Sequence, residues 1–177
     1  GSNPAKDWGF RHAWTLNLSI RTELAREIRF DDGLTRAMFE DLEWAWRLAD
    51  QKGSRVVYRP EACVEHDHRY TPIGYLQRER ALGAQALELA RVNPACAKEI
   101  FRCDITSEEF VRSCIESVEL NRERCVELEE GFLALTSQTP ESCADIQALY
   151  DMFRLLKKQC WHQGLIEASA ACDGVVA

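Results

Sequence analysis

The chain has 177 residues, with 22 Lys or Arg against 29 Asp or Glu, giving a net charge of −7. That acidic balance counts against a nucleic-acid module, which presents a basic face, and no apolar run reaches the roughly 18 residues of a bilayer span. Hydrophobic residues at 46% and charged residues at 29% describe a chain that can bury a core.

Residues Gly1 to Ala5 read as a tag remnant. Trp14 to Ile20 alternates and carries aromatic and β-branched residues, the pattern of a strand. Residues 21–28 suit a short helix, and Phe30-Asp31-Asp32-Gly33 is turn chemistry. Residues 40–52 predict a helix with Leu42, Ala45, Trp46 and Ala49 on one face. Glu40 and Asp41 sit at its positive end, and Gly53 is its C-cap. Arg55 to Tyr58 reads as a second strand, ended by Pro60. Ala62 to Glu65 reads as a third, delivering His66-Asp67-His68. Thr71 then caps a helix with Pro72 at its first position, running to about Val92 and stopping before Pro94.

Beyond residue 94 the pattern is almost all helix. Thr106 and Glu109 have capping-box spacing. The helix behind them can run to about Leu135, with Val111, Ile115, Val118, Cys125, Leu128 and Phe132 inward. Thr139-Pro140 opens another, in which Ile146, Leu149, Phe153, Leu156 and Cys160 make a seam for a partner helix. The short link predicts antiparallel packing of the two, and Gly164 reads as the end of the second.

The eight cysteines contain no C-x-x-C. Cys103, Cys114 and Cys125 recur every 11 residues, close to three helical turns, and read as small buried hydrophobes. A reducing setting follows, the cytoplasm or the inner face of the membrane.

Three features could carry chemistry, and each has a bland alternative. Glu40 and Asp41 either complement the helix dipole or supply a carboxylate base. His66-Asp67-His68 is either a solvated loop or a pair of metal ligands, with Cys63 close enough in sequence for a local structural metal site. Gln77, Arg78 and Arg80 either contact a phosphate or form a solvated face. Arg47 lies four residues after Glu43, the spacing of a helix ion pair.

In order, Asn17-Leu18-Ser19-Ile20-Arg21, Phe30-Asp31-Asp32, Phe39-Glu40-Asp41-Leu42-Glu43, Val57-Tyr58-Arg59-Pro60-Glu61-Ala62 and His66-Asp67-His68 resemble the C-terminal half of a family 2 inverting glycosyltransferase catalytic domain. The resemblance covers residues 14 to about 94. It implies an α+β, mostly helical chain: a partial α/β, Rossmann-like nucleotide-diphospho-sugar transferase domain over residues 6–94, then a helical hairpin extension over 95–177. It implies Asp41 as general base, with Glu40 placing the acceptor. It implies His66, and after it His68, at the metal or diphosphate site, with Mn or Mg as cofactor. Gln77, Arg78 and Arg80 fall on the acceptor or diphosphate side, where processive synthases carry Q-x-x-R-W. Ala81 replaces that tryptophan, so the expected enzyme is non-processive. Its partners would be a sugar nucleotide and a saccharide-type acceptor.

The family's upstream half with its D-x-D is absent, so the expectation is an inactive fragment. Trp8, Phe10, Trp14 and Trp44 would then be candidates for an exposed apolar face, open to homo-oligomerisation. The competing expectation is a helical protein-interaction module at residues 106–163 with no catalysis.

Overall fold

The structure is a computed structural model that describes residues 6–67, 71–135 and 146–173. Among these the regular elements are seven α-helices, α1 Thr22–Glu27, α2 Glu40–Lys52, α3 Pro72–Val92, α4 Pro94–Phe101, α5 Glu108–Leu120, α6 Arg122–Leu135 and α7 Ile146–Asp173, with 3-10 turns at Phe10–His12 and Thr15–Asn17. No residue described is in a β-strand. The tag remnant, His68, the Thr139-Pro140 helix start, Cys143 and the Ile146 side chain lie outside what is described.

The absence of strands overturns the α+β expectation and, with it, the glycosyltransferase resemblance. A nucleotide-diphospho-sugar transferase domain is built on a central β-sheet, and the described chain is all-α. The reason is local. A strand is stable only with a ladder partner, and here side chains take the ladder's place. Trp8 N–H donates to Val56 O at 2.8 Å. The next bond comes from Val56 N–H to the Asp7 carboxylate at 2.9 Å, not to a main-chain carbonyl. Gly9, at φ 79°, then turns the chain into the first 3-10 turn. The predicted strand at 14–20 closes its own turn, with Asn17 N–H donating to Trp14 O at 3.2 Å. The side chain of Asn17, not its main chain, reaches Ala62 O at 2.7 Å.

The chain forms two compact units, one from residues up to 67 together with 88–100, the other from 71–87 together with residues from 101 onward. In the first, α2 is central and buries two faces rather than the single face predicted. Ala45, Trp46 and Ala49 pack with Phe10, Ala13 and Ile100. Trp44 and Leu48 pack with Ile28, Ile20 and Leu24. Trp44 is therefore core: it stacks on Phe30 at 4.8 Å and donates its indole N–H to Ile28 O at 2.6 Å. Phe10 is also buried, so neither belongs to an exposed face. Gly53, left-handed at φ 59°, caps α2 as expected. α4 escaped prediction although its signal is plain: Asn93 accepts from Cys96 N–H at 3.0 Å, and Pro94 takes the first helical position.

In the second unit α7 is the spine. It packs on α6 through Leu149, Phe153, Leu156 and Cys160 against Cys125 and Phe132. Phe132 meets Phe153 at 6.1 Å, which makes the pair antiparallel as the seam predicted. The helix expected from 106 to 135 is two helices, divided at Asn121, whose side chain donates back to Ser117 O at 2.8 Å. Its cap is Ser107, which accepts from Phe110 N–H at 3.2 Å, while Thr106 donates to Asp104 at 2.6 Å. Cys103 precedes α5, and Cys114 and Cys125 fall on separate helices, so no single-helix stripe of three thiols forms, although Cys114 and Cys125 are both buried. Ile115 faces outward at 43% exposure. Gly164 does not end α7. It lies inside it, where α3 crosses: a Cβ at Gly164 would overlap Arg80 O, and one at Gly83 would overlap Trp161 O. Two glycines let the backbones touch.

Candidate functional site

The acidic pair opens α2. Phe39 precedes it with no side-chain cap, so the first-turn carboxylates Glu40, Asp41 and Glu43 complement the helix dipole. Asp41 accepts from Leu42 N–H at 2.8 Å. The Glu40 carboxyl is perturbed. Partial burial, followed by the charge of Asp41, holds its carboxyl above the ordinary value. Its Oε2 is buried with no hydrogen-bond donor among the described residues. Glu43 is 1% exposed and fully engaged. It accepts two bonds from Arg47 at 2.7 and 2.8 Å and one from Asn93 at 2.9 Å. The Glu43–Arg47 pair is thus the structural helix pair its spacing predicted.

Gln77, Arg78 and Arg80 lie on α3 in the second unit. Gln77 is exposed. Arg80 pairs with Glu167, its Nε at 3.0 Å from Oε2. Arg78 approaches the buried Glu79 at 3.8 Å, and Lys157 approaches the same oxygen at 3.5 Å. Tyr75 also hydrogen-bonds Glu79, and burial, then that bond, push its hydroxyl above the usual range. Both arginines therefore serve carboxylates of their own unit. His66 is exposed in the first unit, and His68 lies outside the described residues. The Cys63 thiol turns to Pro60 O at 3.0 Å. Among the described residues no three His, Cys, Asp or Glu side chains are placed to hold a metal ion.

What the structure does gather is a groove of about 960 Å³ in the first unit, within the range of ligand sites. It is lined by the two strand-like segments, Asn17 to Ser19 and Val56 to Arg59, together with Lys6, Trp8, His12 and Ala62. Trp8 meets His12 edge-on at 5.8 Å and Tyr58 at 6.4 Å, and Lys6 Nζ lies 4.0 Å above the Trp8 ring. The Trp8 indole N–H is buried with no acceptor among the described residues. Asp7 fixes this corner by accepting from Gly9 N–H and Val56 N–H, both at 2.9 Å, and those two bonds hold its carboxyl below the ordinary value. Of the residues lining the groove, Leu18, Val57 and Tyr58 are apolar or aromatic and exposed, by 37–54%.

None of the described residues singled out in the sequence for catalysis or metal binding lines this groove. Lys6, His12, Tyr58 and Arg59 were missed because nothing local joins them. The available signal was the surplus of strand-like runs over any sheet so few strands could stabilise. Against known proteins, the chain matches no family model, no curated protein and no solved structure.

Proposed function

We propose that this chain is a protein-interaction module whose first unit takes an extended segment of a partner protein into its groove. One observation carries the reading: apolar side chains are exposed along two irregular segments, around Leu18 and at 57–58, whose main chain joins no ladder among the described residues. Leu18 has strand dihedrals, φ −133° and ψ 135°. The main chains of Leu18, Ser19, Ile20, Val57 and Tyr58 make no backbone–backbone hydrogen bond with another described residue. Unpaired strand edges are the surfaces on which extended peptides add. The interaction role moves here from the expected hairpin at 106–163, because the seam of that hairpin is spent on α6 and α7 packing against each other.

The test is selection of peptides from a displayed random library, counter-selected on the L18D/V57D double variant. Both substituted side chains are exposed, so the variant keeps its fold, as circular dichroism will verify. The expected peptides bind the unaltered chain and lose about tenfold or more on the variant, roughly 1.4 kcal/mol. They slow amide exchange at residues 17–20 and 56–59. The proposal fails if no peptide survives counter-selection, or if protection maps to the helices of the second unit.

A further inference from the structure

Resting on that reading, we infer that the segment recognised is acidic: an extended strand of alternating apolar and carboxylate side chains, its apolar face on Leu18, Val57 and Tyr58 and its carboxylates toward Lys6 and Arg59. The groove is one-signed. Lys6 and Arg59 both line it, and no Asp or Glu among the described residues does, although the chain as a whole carries −7. Two carboxylates adjoin lining residues in sequence: Glu61 does not itself line the groove, and Asp7 is occupied by two main-chain N–H groups and by Arg55 at 3.9 Å. Its depressed pKa says that this charge is already stabilised in place. Arg59 is exposed and has no ion-pair partner among the described residues. The buried Trp8 N–H without an acceptor adds a neutral donor to the same groove.

These groups assign the two sides of an added strand. In a strand successive side chains alternate faces, so a peptide lying in the groove turns every second residue toward the apolar surface. The residues between meet the cations. Main-chain groups at 18–20 and 57–58 offer the pairing that holds it. The acidic surface elsewhere on the molecule repels such a peptide, which confines it to the groove.

The experiment uses the full chain and three short blocked peptides of one length: alternating Val and Glu, alternating Val and Gln, and the Val/Glu peptide N-methylated at alternate residues. Binding is followed by Trp fluorescence and by amide exchange. The Val/Glu peptide is expected to bind about tenfold more tightly than Val/Gln, with a preference that weakens as salt rises from low to physiological strength. R59Q and K6Q, both at exposed positions, should abolish most of that preference, bringing Val/Glu binding down toward that of Val/Gln on the same variant. N-methylation should remove binding of either kind, as loss of main-chain pairing requires. Equal binding of Val/Glu and Val/Gln overturns the acidic assignment and leaves the interaction module standing. Binding of neither, with no exchange protection at 17–20 or 56–59, overturns the module as well. Binding of the N-methylated peptide at full strength overturns strand addition.

Discussion

At the scale of single residues, the chain's ionic chemistry is spent mainly on holding itself together. Glu43 is buried at the centre of the first unit, and a carboxylate there is tolerable only because Arg47 and Asn93 satisfy it. Arg47 in turn donates to Arg29 O at 2.7 Å, tying α2 to the segment after α1. Replacing Arg47 by Met leaves Glu43 charged and half-satisfied in the core. The expected cost is about 3–5 kcal/mol, read as a lower urea midpoint. The R47M/E43L double variant should recover much of that loss, because an apolar pair needs no desolvation of charge. If R47M alone unfolds at the original midpoint, Glu43 is not held by this pair. This interaction was legible from a spacing of four. The role of Asn93 was not, since it reaches Glu43 from 50 residues away. The same holds for the cysteines. Burial pushes the Cys96 thiol up to about 12 and that of Cys160 to about 11, placing both among inert structural thiols.

At the scale of elements, local signals decided what could be foreseen. α2 and α3 were legible to within a residue because their ends are written in short-range chemistry: Gly53 beyond one, Thr71-Pro72 before the other. Strands have no such autonomy. Residues 14–20 and 55–58 have the composition of strands but join no ladder among the described residues, so they remain turns and irregular chain. The glycines separate in the same way. In sequence Gly83, Gly131 and Gly164 are alike. In the structure, Gly83 and Gly164 sit where α3 and α7 touch, and Gly131 faces open space. Helix propensity favours alanine at all three by up to about 1 kcal/mol. Only at Gly131 does it act unopposed, so G131A should raise the urea midpoint. At Gly83 and Gly164 the new Cβ meets backbone, which cannot swing aside. G83A and G164A should each destabilise by about 1–3 kcal/mol or more. Equal effects at all three positions would mean that the helices do not cross there.

At the scale of the whole molecule, the pH dependence of stability is a sum of groups with opposed signs. His162 is half-buried near the charge of Lys158, and burial, then that charge, hold its pKa below the ordinary 6.5. The unfolded chain therefore binds the proton more readily. The contribution of His162 is complete above pH 6.5 and is lost as pH falls through its folded value. Asp7, lowered from 3.8 by its two N–H donors, acts in the same direction further down: its contribution is present above 3.8 and lost as pH falls through its folded value. Glu40 acts oppositely. Its pKa is raised from 4.5, so its contribution is complete below 4.5 and lost as pH rises through its folded value. Urea midpoints measured from pH 3.5 to 8 should consequently rise less steeply between 4.5 and 6.5 than His162 alone would make them. E40Q should steepen that limb, and H162Q should flatten it immediately below pH 6.5. Unchanged slopes in both variants would show that neither group titrates differently in the fold. Neither role was visible in the sequence, where Glu40 was one of several first-turn acids and His162 one histidine in a helix. Burial, which raises the Glu40 carboxyl, is a property of the packed molecule. The same packing leaves Lys6 and Arg59 of one sign around the groove, so the net −7 of the chain is a poor guide to the charge a partner meets there.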